Sequence, residues 1–275
     1  MVTVGEMSST TLENSIRYSN PESNELSMIF SFHHLKVDYP SGNKWEIEPF
    51  RFHDLKKHLF TWQEEMEKGG GWNALFWCNH DQPRIVSRIG NEKEYRVKSA
   101  KCLATAIHGL KGTPYIYQGE EIGMTNAGYT SIDEYMDIES LNYYNILKLQ
   151  GKSEEEVIRI LGAKSRDNSR TPMQWDASEN AGFTKGTPWL KVCDRYKEIN
   201  TESRHEPDSV FQYYKELVKL RKELPVIQKG SVTPLLREDK EILAYKREYQ
   251  GKELYVFCNF FDGEVEVPYS IPEDC

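Results

Sequence analysis

The sequence has no CxxC spacing, no internal repeat and no low-complexity tract. No stretch approaches the ~20 apolar residues of a membrane span. The five cysteines, Cys78, Cys102, Cys193, Cys258 and Cys275, are scattered and odd in number. That argues against a disulfide framework and for reduced thiols in a cytoplasmic protein. The opening MVTVGEMSSTT lacks a basic region and a long apolar run, so a signal peptide is not expected. Positive charge is also short: 35 Lys and Arg stand against 43 Asp and Glu, a net charge of −8. This disfavours nucleic acid or an anionic membrane as partner. An anionic substrate would need a local basic pocket. Aromatic residues, by contrast, are plentiful, with 6 Trp, 16 Tyr and 11 Phe. Sugar sites use such rings as platforms, although most aromatics simply fill cores. A length of 275 residues allows one large domain, or one large and one small.

Along the chain, Val2–Val4 and Met28–Phe32 read as strands, and Ser8, Ser9 and Thr10 as helix N-cap candidates. Leu55, Leu59, Trp62 and Met66 are spaced for one face of a helix that ends at Gly69-Gly70-Gly71. Residues 73–78 are almost continuously apolar, as in a parallel strand covered on both sides. A helix with Leu103, Ile107 and Leu110 on one stripe follows, then a strand at Tyr115–Tyr117. This alternation is the signature of an α/β protein with a parallel sheet or barrel. Residues 124–205 form a long polar excursion with one expected helix, near 154–162, opened by a capping box of Ser153 and Glu156. An amphipathic helix returns with Val210, Tyr214, Leu217, Leu220 and Leu224 and stops at Pro225. Strands at 242–245 and 254–259 then suggest a small antiparallel domain from about residue 230.

Two acids follow expected parallel strands: Glu6 after Val2–Gly5, and Asp81 after the 76–80 segment. In α/β barrels, strand C-termini and their loops build the active site. A lone acid after a strand is more often a cap or a solvated loop residue. The His80-Asp81 pair adds weight to a site, because a histidine donor beside a carboxylate suits hydroxyl recognition.

TVGEM and FWCNHDQPR resemble two signature blocks of glycoside hydrolase family 13, the α-amylase family. GTPYIYQGEEIGMTN at 112–126 and SRDNSRTPMQW at 165–175 resemble its oligo-1,6-glucosidase-like branch. The resemblance implies the C-terminal half of a (β/α)8 TIM barrel, strands five to eight, over residues 1–229 including the 124–205 insertion. A truncated antiparallel β domain over 230–275 would follow. It implies Glu6 as general acid/base, Asp81 as the carboxylate that steadies the oxocarbenium-like transition state, and His80 and Arg166 as holders of the glucose. A glycosidic oxygen leaves poorly until it is protonated, and positive charge then develops at the anomeric carbon, so both carboxylates have work to do. The nucleophilic Asp of the family, in a block like GFRxD on strand four, has no counterpart in the sequence. The chain alone is therefore expected to be inactive, and a half-barrel would expose two raw sheet edges. No cofactor and no metal ligand is expected, with metal dependence and oligomeric state left open.

For substrate, MSSTT after Glu6 and FHHLKVDY at 32–39 resemble the branch acting on trehalose 6-phosphate. Simple oligo-1,6-glucosidases tend to carry acids where His33 and Lys36 stand. A phosphate needs cations and donors, and Lys36, Lys44, His33 and His34 are the candidates. Lys36 is also one of 35 basic residues, and the histidines equally suit loop packing. The implied partner is a small phosphorylated disaccharide, with no nucleic acid and no membrane. An oligo-1,6-glucosidase is the second reading; a non-catalytic sugar binder or a non-folding gene fragment is the third. Met136 stands where relatives usually carry Arg, which would remove an ion pair from the excursion.

Overall fold

The computed structural model describes residues 1–39 and 41–272. Cys275, one of the expected reduced thiols, lies outside the described residues. Strand β1 (Val4–Met7) runs parallel to β2 (Met28–Ser31), with Glu6 opposite Phe30. Helix α1 (Leu12–Ser19) makes the crossover. Its N-cap is Thr11, whose hydroxyl accepts the Asn14 amide at 3.2 Å, and not Ser8, Ser9 or Thr10. Helix α2 (Phe52–Lys68) forms on the predicted stripe, burying Leu55, Leu59 and Met66, and Gly69 ends it.

A parallel bridge, Ile29 to Asn73, carries the order on to β3 (Ala74–Leu75). This strand pairs in parallel with β4 (Thr113–Pro114), after helices α3 (Ile85–Ile89) and α4 (Arg96–His108). The β3 ladder is shorter than the apolar run suggested. Its later residues turn to helix packing: buried Trp77 donates its indole N–H to the Leu103 carbonyl at 2.7 Å, and Cys78 accepts the Ile85 amide. Pairing at β4 likewise sits at 113–114, with only the Tyr115 amide continuing it, to Leu75 at 2.7 Å. Gly112 precedes β4 at φ +142°, where a Cβ would stand 2.5 Å from the Asn73 carbonyl oxygen, so the close approach of the strands requires glycine.

The excursion holds three helices: α5 (Ile138–Leu149), α6 (Glu154–Lys164) and the one-turn α7 (Asp167–Arg170). Helix α5 was not foreseen. It buries only Ser140 and Leu147 while Ile138 and Leu149 face solvent, so it carries no readable stripe. The box at α6 is half formed: Ser153 accepts the Glu156 amide at 3.2 Å, but the Glu156 carboxylate turns to Lys152. A second small core of Trp45, Tyr129, Tyr135, Leu147, Val157 and Leu161 supports this region.

Helices α8 (Val210–Glu223) and α9 (Pro225–Lys229) lead to an antiparallel sheet, β5 (Ser231–Leu235), β6 (Ile242–Tyr249) and β7 (Lys252–Asn259). The β6–β7 hairpin turns on Gln250 and Gly251, both at positive φ, as a two-residue turn demands. Buried cations bound by carbonyls fasten this sheet to the α/β part. Lys56 of α2 donates to Leu236, Asp239 and Ile242, and Arg247 of β6 donates to Gly109, Gly230 and Ser231. Each cation loses water on burial and regains donors' partners from the backbone. No described helix is long and apolar enough to cross a membrane.

Candidate active site

Because β1 to β4 run parallel, Glu6, the third residue of β1, and Asp81, past the end of β3, both lie toward the C-terminal side of the strands. Glu6 is exposed at the end of β1. Asp81 is half-buried and sits in a network of charges. Its Oδ1 accepts from Arg170 Nη2 at 2.5 Å and lies 3.6 Å from Arg166 Nη1. Its Oδ2 is 3.3 Å from His80 Nε2. His80 is itself 61% exposed, and its carbonyl accepts from Arg170 Nε at 2.8 Å.

Behind this pair stands Asp137, only 4% exposed. It receives Arg166 in a two-pronged pair at 3.0 and 2.9 Å and Arg170 at 3.3 Å. Its own amide donates to both oxygens of Asp167 at 3.1 Å. Burial works against the Arg166 charge, but the bonds and charges of Asp137 and Glu139 outweigh it and hold the guanidinium above its usual value. Burial pushes the Asp167 carboxyl up.

The predicted residues divide into two groups. His80, Asp81 and Arg166 come together, and Lys44 joins them indirectly: its Nζ is 2.6 Å from Glu139, which also lies 3.1 Å from Arg166. Lys44 thus already answers a carboxylate. Lys36 instead donates to the Ser8 carbonyl at 2.6 Å, two residues beyond Glu6 on the β1 rim, and burial lowers its ammonium pKa. The two histidines are placed in packing rather than in the charge network. His34 is buried, its Nε2 2.8 Å from the Phe76 carbonyl oxygen, and burial lowers its pKa to about 4. His33 stacks on Trp62 of α2 with ring centroids 4.3 Å apart. The missed residues are Arg170, Asp137 and Glu139. One signal existed in the sequence: Arg166 and Arg170 are four apart, on one face of a helical turn.

Six charges, three of each sign, are therefore knitted together, with Asp81 at the solvent side. Such an arrangement fixes a carboxylate in place, which suits stabilisation of a developing cation. Among the described residues no cluster of three or more His, Cys, Asp and Glu is arranged to hold a metal. A groove of about 530 Å³ lies away from these carboxylates, between Ile116 after β4 and Phe211, Tyr214 and Val218 of α8.

The family model for the α-amylase catalytic domain matches residues 1–230. Trehalose-6-phosphate hydrolase of Bacillus subtilis (strain 168) is 54% identical over 273 residues, covering 99% of this chain and 48% of the relative. Oligo-1,6-glucosidase of Halalkalibacterium halodurans is 50% identical over 262 residues, covering 95% of this chain and 46% of the relative. The crystal structure of Bacillus licheniformis trehalose-6-phosphate hydrolase superposes with a TM-score of 0.95 at 60% identity, covering 100% of this chain and 49% of that one. The chain spans about half the length of the curated relatives it matches.

Proposed function

Since this chain belongs to the α-amylase family of glycoside hydrolases, we propose that it carries the acid/base side of a retaining α-glucosidase that hydrolyses trehalose 6-phosphate to glucose and glucose 6-phosphate. The observation that carries the reading is the Asp81 carboxylate, pinned by Arg170 and flanked by His80 on the rim that also bears Glu6. Glu6 protonates the glycosidic oxygen, and Asp81 stabilises the cationic anomeric carbon. His80 and Arg166 hold the glucose. The retaining mechanism also needs a nucleophilic carboxylate about 5 Å from the acid. No residue of this chain is assigned to it, and the 275 residues alone are expected not to turn over glycosides.

On this reading the parallel strands are five to eight of a (β/α)8 barrel within residues 1–229, with 124–205 as an insertion and 230–275 as a β domain. The antiparallel sheet beginning at Ser231 supports that division. The free thiols Cys78, Cys102, Cys193 and Cys258 support a cytoplasmic setting. The partner is a small phosphorylated disaccharide, without nucleic acid or membrane.

Lys36 is the cation we assign to the phosphate, because its ammonium faces a carbonyl whereas Lys44 is taken by Glu139. An oligo-1,6-glucosidase is the second reading, favoured by that same Lys44–Glu139 pair, which leaves one fewer cation for a phosphate. Assay of the full-length enzyme on trehalose 6-phosphate and on isomaltose separates the two: we expect the phosphorylated sugar to be preferred, and the opposite preference overturns the proposal. Lys36→Ala should then raise KM for trehalose 6-phosphate about tenfold, as for loss of one charge-assisted hydrogen bond. It should leave KM for unphosphorylated glucosides unchanged.

A further inference from the structure

Asp137 stands at the N-cap position of helix α5, where an aspartate normally turns its carboxylate onto the amides of its own helix. Here it makes no such bond. Its side chain is turned instead to the arginines at the two ends of α7. Oδ1 accepts from Arg166 Nη2 at 2.9 Å and from Arg170 Nη1 at 3.3 Å, and Oδ2 accepts from Arg166 Nε at 3.0 Å. The same two guanidinium groups reach Asp81 Oδ1, Arg170 at 2.5 Å and Arg166 at 3.6 Å. The backbone holds the carboxylate to this task. The Asp137 amide is bound by both oxygens of buried Asp167, whose Oδ2 also accepts the Ser165 hydroxyl at 3.2 Å. A buried ion pair adds little stability over apolar packing, and α5 forgoes a side-chain cap for this one. The arrangement is accounted for at Asp81, not in the helix.

We propose that Asp137 is a positioning residue for glycosidic cleavage: it shares both guanidinium groups with Asp81 and keeps the charge cluster from turning positive behind that carboxylate. The inference rests on the glycosidase reading of the site. Arg166, Arg170 and Lys44 are balanced by Asp81, Asp137 and Glu139. Without the charge on Asp137 the cluster carries one surplus cation, held against the carboxylate that faces the anomeric carbon. These side chains are buried or partly buried, so salt screens them little. The bound substrate is neutral at the anomeric carbon, and positive charge develops there only in the transition state. A surplus cation therefore opposes the transition state far more than the ground state, and its effect falls on kcat rather than on KM. Asp137 touches neither sugar nor reacting atom in this role; it acts through the two arginines.

Asp137→Asn in the full-length enzyme keeps the shape and removes the charge. On whichever of trehalose 6-phosphate and isomaltose the parent prefers, kcat should fall about tenfold, as for one unit charge at an intermediate dielectric. KM should move much less. Binding of protonated 1-deoxynojirimycin, a glucose-shaped cation, should weaken by a similar factor, while binding of neutral glucose holds. A purely structural role would weaken both ligands together. Asp137→Glu restores the charge and should recover most of the preference for the cation. Where the Asn variant does not fold, Asp137→Ser is neutral, can cap α5, and should show the same loss. The proposal is overturned if the neutral variants keep the parent's preference for the cation, or if the cation and glucose weaken equally. A parent that hydrolyses neither sugar overturns the glycosidase reading itself, and this inference with it, before any variant is made.

Discussion

Arg170 bears on Asp81 more directly than any residue the sequence singled out. It donates to the carboxylate at 2.5 Å and to the His80 carbonyl at 2.8 Å, so one side chain sets both members of the His-Asp pair. Lysine can supply the charge but not the fork. Arg170→Lys in the full-length enzyme should lower kcat/KM about 10- to 100-fold, the range for a lost charge-assisted bond, with little change in melting temperature. Steady-state kinetics beside a thermal melt checks this; an unchanged kcat/KM would show that Asp81 is held without it. At this scale the sequence was readable where partners stand side by side, as with His80 and Asp81, whose Nε2 and Oδ2 lie 3.3 Å apart. The Arg170–Asp81 pair spans 89 residues, and no local pattern announces it. His33 and His34 show the converse. Their type suggested recognition, but stacking on Trp62 and a bond to Phe76 are decided by neighbours distant in sequence.

Two helices and a turn meet at Asp38. Its carboxylate, 6% exposed, takes Arg88 of α3 in a two-pronged pair at 3.0 and 2.7 Å and Lys164 of α6 at 2.8 Å. Burial alone would raise the Asp38 pKa, but the two cations hold it below its usual value of 3.8. A carboxyl depressed in the folded state adds stability above its unfolded pKa and loses it as pH falls through the folded value. Asp38→Asn should therefore cost about 3–5 kcal/mol at neutral pH, the range for breaking a buried pair. The gap to the parent should close below about pH 4, and urea melts at several pH values measure both. Elements with a clean apolar period, such as α2 and α8, were legible. The short β3 was not, because an apolar run reads alike whether it serves a ladder or, like Trp77, a helix. Nor was α5, whose faces are mixed.

Across the whole molecule, buried titratable groups pull stability in opposite directions. His34 and His108 are each lowered to about 4 by burial, so they favour folding above about pH 6.5 and withdraw that support as pH falls. Glu120 is raised to about 7, chiefly by burial, with its Oε1 accepting the Tyr214 hydroxyl at 2.8 Å. An acid raised in the folded state is harmless below its unfolded pKa; the cost builds as pH rises from the unfolded value of 4.5 to the folded value of about 7 and reaches about 3 kcal/mol by pH 8. Glu120→Gln keeps an acceptor for Tyr214 and cannot ionise. It should melt above the parent at pH 8 and level with it at pH 5; equal melts at both would remove Glu120 as the cause. The parallel order of the strands could be anticipated from their alternation with helices, whereas the carbonyl-bound Lys56 and Arg247 could not, since a cation's backbone partners leave no trace in residue type.

The span between Asp81 and Arg170 also bears on how such sequences can be recombined. A chimera joined anywhere inside it would take the carboxylate from one parent and its guanidinium clamps from the other. Crossovers placed before Asp81 or after Arg170 transfer the two as one inheritable block, and the polar excursion travels with the site it steadies.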